Sequence, residues 1–599
     1  MKKYIQILMI VALLFTYSCN YLDIVPDETA TEEDAFADRY AAERYLYSCY
    51  AFIPQEANVF YMLGSTGDWA TLMEVASMQG NYSPSNLSYY TFWSSFYGGI
   101  KRCYILLDNI DGVPRMDEET KELYKAEARF LLAYFHFFLL KAYGPIPIIE
   151  KNFAMDTPNS DYPGRRIFDE CVKWISDMYD MAYMDLPERQ ATTYYGRATR
   201  ATAKAMKAKL WLYTASPLFN GNGEFYADEL KDPETGTPLM PLQYDQSKWE
   251  KAYTYALEAV NEAHSAGISL YMGNPDPGSG NYPYPSDVNQ WRARMNFVDR
   301  ANTNELIFAD TRNDGFYGYQ NNAAPREASG GNAWQNVAPT LEAVKRFYTE
   351  RGLPIDEDPA YFSEGDYFQL GQYEGQTTCN LHLHREPRFY AWISFHNGWY
   401  ELMRGNDKRI RTLFRKNDVH GKQSYGRNYS MTGYLAKKGV HPGYNANGSI
   451  INYPFPIMRL AELYLIVAEA AVETNNLSVA IEYLDKVRVR SGVPKVETAW
   501  EGVATLNQVK LRQIVHQERG IELFMEGHSL WDHKRWKTAH LYVGSNPKGL
   551  NVDGVTDAEF FREAEVLVGW KFASPKNYLL PIPQKDVDVN AKLSQNPGY

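Results

Sequence analysis

The chain has 599 residues, of which 45% are hydrophobic and 22% charged, and its net charge is −12. That length exceeds one ordinary domain, the apolar share fits a globular chain, and the negative charge argues against a nucleic-acid partner. Its 47 tyrosines and 13 tryptophans are an excess that predicts aromatic use in the core or on a binding surface.

The N-terminus carries Lys2-Lys3, then an apolar run over 5–15 broken only by Gln6, then the small Ser18. This pattern reads as a secretory signal peptide over 1–18. The run is too short to span a bilayer, which needs about 20 apolar residues as a helix. Cys19 follows directly, as after a bacterial lipoprotein signal, although Thr16-Tyr17-Ser18 lacks the aliphatic residue usual three positions before the cysteine. Residues 19–30 then read as an acidic tether. Cys49, Cys103, Cys171 and Cys379 are widely spaced, with no CxxC and no metal-ligand rhythm. Buried free thiols are expected there, with two disulfides as the alternative.

Helical patterning begins at Thr31-Glu32-Glu33-Asp34, an acidic start leading into AFADRYAAERYLYSCYAFI. TFWSSFYGGIKRCYILLDNI follows, then EETKELYKAEARFLLAYFHFFLLKAYG. The second half of the latter is apolar almost all round, which predicts burial among other helices, and Gly144-Pro145 stops it. RIFDECVKWISDMYDMAYMDL, RATRATAKAMKAKLWLYTASPLF and WEKAYTYALEAVNEAHSAG continue the pattern. From about 265 to 335 the chain is rich in Gly, Pro, Asn and aromatics, which predicts long loops. Loops this long in a compact protein are usually functional or disordered, and their aromatic content favours function. The stretch 351–455 is again irregular, with strand-like runs such as FYAWISF.

Helices return at PIMRLAELYLIVAEAAVE. Tyr464, Val467, Ala468 and Ala471 on one helix, with Ala480, Leu484 and Val487 on the next, match the large–small spacing of a tetratricopeptide (TPR) repeat. The segment 203–218 with Ala252, Ala256 and Ala259 is a second such pair carrying an insertion. A generic antiparallel helix hairpin remains the alternative.

Six blocks, in order, carry a resemblance: AEARFLLAYFHFFLLKAYGPIPII, GRATRATAKAMKAKLWLYTASPLFN, REPRFYAWI, PIMRLAELYLIVAEA, ERGIELFMEGHSLWDHKRW and YLLPIPQKDVDVNAKLSQNPGY. Together with CNYLDIVPDETAT they resemble the SusD/RagB family of outer-membrane nutrient-binding lipoproteins. The resemblance implies a mainly α fold, with four TPR-like helix pairs packed against an irregular, loop-rich ligand-binding half with a few short strands. It implies one such domain over 31–599: an N-terminal part to about 265, a loop-rich region over about 266–455, and a C-terminal family part over about 320–599. It implies an acylated Cys19, a place on the outer face of the outer membrane, and a SusC-like TonB-dependent transporter as partner, with this protein as lid. Members bind oligosaccharides or, in the RagB branch, peptides, and pass them inward without cleaving them.

The residues offer little for catalysis. GxSxG, HExxH, P-loop and GxGxxG motifs are missing, so no catalytic residue, cofactor or metal is assigned. His382 and His384 with Glu386 could hold a metal if they shared a strand face, but a metal-free strand or loop is the simpler reading. A glycoside hydrolase would need two carboxylates facing each other across an aromatic cleft. The segment 518–536 packs Glu518, Arg519, Glu522, Glu526 and Asp532 with His528, His533, Lys534 and Arg535. Spacings of three and four read there as ion pairs along one helix.

Sugars ask for flat aromatic platforms beside side chains that grip neighbouring hydroxyls. Asp68, Trp69, Asn81, Tyr82 and Tyr89 supply these between the first helices. Tyr282, Tyr284, Trp291, Arg292, Tyr317, Tyr319, Asn321 and Trp334 supply them in the loops. Trp93, Trp211, Trp531 and Trp536 are assigned to the core.

Overall fold

A computed structural model describes residues 32–599, apart from 56, 59–62, 72–79, 81, 88–91, 155, 276–284, 286, 313–317, 327–332, 403–408, 425 and 446–449. Cys19, Asn81, Tyr89, Tyr282, Tyr284 and Tyr317 therefore lie outside the described residues.

The helix with the strongest sequence signal forms the centre of the N-terminal half. Glu118–Tyr143 starts at Asp117, whose carboxylate accepts the Thr120 N–H at 2.8 Å, and ends at Gly144 with φ of 73°. The left-handed conformation at this stop suits glycine. Phe92–Asn109 packs on one side of it and Phe168–Asp185 on another. Arg200–Ala215 and Ser247–Ser265 follow as an antiparallel pair. Ala203, Ala252, Ala256 and Ala259 are all buried in that pair. Small side chains let two helix backbones approach closely.

Leu460–Glu473 packs on Ser247–Ser265 and also on Leu477–Arg490 and Gln508–Glu522. One helix thereby ties the two ends of the chain into a continuous core. The TPR-patterned positions Tyr464, Val467, Ala468, Ala471, Ala480, Leu484 and Val487 are all buried. Cys49, Cys103, Cys171 and Cys379 are buried and free. Among the described residues no helix is long and apolar enough to cross a membrane.

Strands are short and pair two by two. The longest pairing joins Leu306–Asp310 to Phe455–Arg459 antiparallel, and Trp69–Ala70 pairs with Ala338–Pro339.

Four local expectations change. The first helix is two pieces, Glu32–Ala35 and Arg39–Tyr50, because Asp38 caps a fresh start by accepting the Ala41 N–H. The stretch 265–335 is not all loop. It contains Val288–Met295, capped by Asp287 through the N–H groups of Asn289 and Gln290, the strand Leu306–Asp310, and the short helix Tyr319–Ala323. FYAWISF is mostly helix: Pro387–Trp392 begins with proline in its first turn, and only Ile393–Ser394 is strand.

The fourth change concerns 518–536, which is not one helix. Gln508–Glu522 ends, Met525 and Gly527 adopt φ of 60° and 80°, and Ser529–Arg535 starts anew. Its charges mostly reach across the molecule rather than along a helix. Glu518 pairs with Arg388 and Arg488, Glu522 with Arg388, Arg459 and Arg490, and Glu526 with Arg459 and Lys438. Glu386 and Glu305 complete the cluster through Arg388, Arg459 and Arg490. Five cations meet five carboxylates, and no member's side chain is more than 2% exposed. Charge balance is what makes so much buried charge tolerable.

Candidate ligand-binding surface

Asp68 and Trp69 stand at the start of the predicted aromatic surface, and the structure puts both in the interior. Asp68 is fully buried. Its carboxylate receives the Arg346 guanidinium at 2.9 Å, the Ser529 hydroxyl at 2.5 Å and the Tyr542 hydroxyl at 3.0 Å. It is an internal clamp between the N-terminal loop and the C-terminal half, with no oxygen left for a ligand. Trp69 is likewise fully buried, in a strand paired with Ala338–Pro339. Tyr82 is buried with its ring 6.4 Å from that of Tyr599.

The loop half is held by a knot of amides. Tyr319 N–H donates to the Ala57 carbonyl at 2.7 Å, and Gly318 bridges to Asn58. Trp334 N–H donates to the Asn321 carbonyl at 2.7 Å, and Asn336 and Val337 both donate to the Asn322 carbonyl. Side chains repeat the theme. Tyr444 hydroxyl donates to Asn321 Oδ1 at 2.8 Å, while Gln335 Nε2 donates to the carbonyls of His420 and Asn428. Tyr319 and Asn321 are buried, so here they set the shape of the loops. Trp334 is half-buried at the edge of this knot. Buried amides need such partners, because a lost hydrogen bond in the interior costs about 1–3 kcal/mol.

Trp291 is buried in a second, smaller core with Tyr271, Met295, Phe297, Val298, Leu306 and Ala309. The adjacent Arg292 is half-buried and donates to the Gly273 carbonyl and to Asn274 Oδ1 at 3.0 Å. Of the predicted binding side chains that are described, Trp334 and Arg292 thus retain a surface, and Asp68, Trp69, Tyr82, Trp291, Tyr319 and Asn321 are packed inside. A tryptophan that sequence reading did not select, Trp399, lies half-buried with the guanidinium carbons of Arg409 and Arg411 each 4.0 Å from its ring centroid. The signal was available: a tryptophan beside an Arg-rich stretch of the irregular region.

The histidine pair does not converge. His382 is buried, with one ring nitrogen 2.7 Å from Thr378 Oγ1 and the other 2.9 Å from the Tyr434 hydroxyl. Burial first, then Arg385 and His396, hold its pKa well below the ordinary value. His384 is exposed beside Glu350, and Glu386 is held by Arg388. Glu518, Glu522 and Glu526 are sealed in the ionic cluster, out of reach of any substrate.

The geometry is thus a helical scaffold with an elaborated loop half, and the comparisons agree with it. A solved structure named BT4246 is 31% identical and superposes with a TM-score of 0.84, covering 94% of this chain and all of that one. Residues 304–599 match the SusD family, and residues 20–212 match a family described as "Starch-binding associating with outer membrane". The chain belongs to the SusD family. Among relatives, a SusD-like protein of Bacteroides ovatus is 22% identical over all of this chain and 98% of its own length. SusD-like protein P25 of Formosa agariphila is 31% identical, but that match spans only 24% of either chain.

Proposed function

We propose that this SusD-family chain is a cell-surface glycan-binding lipoprotein. It captures oligosaccharides and delivers them, uncleaved, to a SusC-like TonB-dependent transporter. The observation that carries the reading is the match of residues 20–212 to the starch-binding, outer-membrane-associating family, on a scaffold whose loop half is anchored by buried amides and edged by aromatic side chains. Trp334 and Arg292 belong to this surface. Asn81, Tyr89, Tyr282, Tyr284 and Tyr317 are assigned to it by sequence. An aromatic ring stacked on a sugar contributes on the order of 1 kcal/mol beyond area burial, so two or three such rings suit capture followed by release.

Non-cleavage is supported by the sealed carboxylates of the 518–536 segment. Anchoring is assigned to an acylated Cys19. One chain would hold only marginally, and two or more hold stably. Replacing Cys19 with Ala releases the protein from the membrane fraction on this reading; retention there refutes the anchor.

The test of capture is calorimetry of the mature chain against a panel of neutral oligosaccharides, repeated with Trp334→Ala. Binding weakened about fivefold by the substitution supports the reading, on a ring contribution of about 1 kcal/mol. A panel without any binder refutes it, and a peptide that binds in place of sugars redirects it to peptide capture.

A further inference from the structure

We propose that a cleft in the other half of the molecule is a second binding site, for a short acidic saccharide. It lies between the Phe92–Asn109 helix, the 147–163 segment and the C-terminal Gln584–Val589 helix, and its volume is about 430 Å³. Small-molecule sites run from about 300 to 1,000 Å³, so one or two sugar rings fit. None of its lining residues comes from the loop-rich region, so it is distinct from the part of the surface that carries Trp334 and Arg292.

Its walls are aromatic. Phe153 and Tyr162 are half-buried with ring centroids 4.8 Å apart and planes at 34°. Trp93 and Tyr97 also line it, and the Tyr97 hydroxyl donates to the Pro147 carbonyl at 2.9 Å. That bond fixes the 147–163 segment against the helix. Asn590 Nδ2 donates to the Pro163 carbonyl at 3.1 Å and fixes the third wall. The cleft is therefore built before any ligand arrives.

Its charge opposes that of the chain. Lys101, Lys151 and Lys585 line it against one carboxylate, Asp586, in a protein of net charge −12. Among the described residues none of these three lysines has a carboxylate within ion-pair distance, whereas Lys121, Lys125, Lys173, Lys204 and Lys207 each have at least one. Lys151 Nζ sits 5.2 Å from the Phe153 ring centroid, so charge and platform are adjacent. Asn152 adds a shielded Oδ1 that has no hydrogen-bond partner.

These features select among ligands. A neutral sugar would use the rings and leave the lysines idle. An inorganic anion or an acidic peptide would use the lysines and leave the rings idle. A uronic-acid or sulfated saccharide offers a C–H face to the rings, an anionic group to the lysines and a hydroxyl to Asn152.

Calorimetry of the full mature chain with trigalacturonate, maltotriose and triglutamate, at low and high ionic strength, tests this. Trigalacturonate is expected to bind more tightly than triglutamate, in a way that Tyr162→Ala weakens, and more weakly as salt screens the lysines. Lys151→Gln and Lys585→Gln should each weaken it about two- to fivefold, as loss of one exposed ion pair does, and Tyr162→Ala about fivefold. Circular dichroism confirms that each variant is folded. Equal affinity for triglutamate, no binding of trigalacturonate, maltotriose binding that Tyr162→Ala weakens as much as it weakens trigalacturonate, or lysine variants that bind trigalacturonate like the parent would overturn the proposal. Capture by the loop half is read from neutral glycans, so either reading can fail while the other stands.

Discussion

Replacing Glu522 with Gln removes one negative charge from a buried cluster of five cations and five carboxylates and keeps nearly the same shape. The glutamate touches Arg459 at 2.8 Å, Arg388 at 3.0 Å, and Arg490. Its loss leaves one uncompensated positive charge among side chains with almost no exposure. Breaking a buried pair this way costs about 3–5 kcal/mol. The unfolding entropy of a chain this size is about 1.2 kcal/mol/K at about 2.1 cal/mol/K per residue, so the melting temperature should fall by about 3–4 °C in calorimetry.

The pH dependence carries a second signature. Burial alone would raise the Glu522 carboxyl, but Arg490, Arg459, Arg388 and Lys438 outweigh it and hold the group well below the usual carboxylate range. The folded pKa thus lies under the unfolded value of about 4.3. The stabilisation is complete above that unfolded value and is lost as pH falls toward the folded one. Glu522→Gln should therefore flatten the acid-side decline in stability below about pH 5. A melting point within 1 °C of the parent, on the same scale, together with an unchanged acid limb, would refute the cluster's role.

Asp68→Ala should cost about 3 kcal/mol in urea unfolding, since it takes the shared carboxylate partner from Arg346, Ser529 and Tyr542 together, and Trp69→Ala about 3–5 kcal/mol as a core truncation. Unchanged stability with weakened glycan binding would return both residues to the ligand surface. Lys534 is buried with no carboxylate partner among the described residues, and burial pushes its pKa down to about 7. Its folded pKa lies below the unfolded value of about 10.4, so the unfolded state binds more protons between these values and stability rises with pH across that window. Lys534→Met should stabilise by on the order of 3 kcal/mol near neutral pH, with the gain shrinking toward pH 10; a gain independent of pH would contradict the burial argument.

The scaffold was legible because its signals are local. Asp117 caps the long helix, an apolar run buries it and Gly144 ends it, all within one stretch. The ionic cluster was not legible in the same way. Glu518 finds Arg388 130 positions away, and Asp68 finds Ser529 461 positions away, so spacing within a helix could not name either partner. Val288–Met295 was hidden by polar composition among Gly- and Pro-rich neighbours, although Asp287 is an ordinary cap. FYAWISF misled because β-branched and aromatic residues favour strands, while the proline before it had already started a helix turn. On the ligand surface, tyrosines and asparagines read alike whether they face a sugar or knot a loop. Tyr319 and Asn321 do the second, and Trp334 stands at the border.

The central claim is glycan capture without cleavage, and one titration tests it most directly. Calorimetry of the mature chain with neutral oligosaccharides, followed by a reducing-end assay on the recovered sugar, should show saturable binding and no new reducing ends. Absence of binding across the panel, or release of reducing ends by the pure protein, would contradict the account.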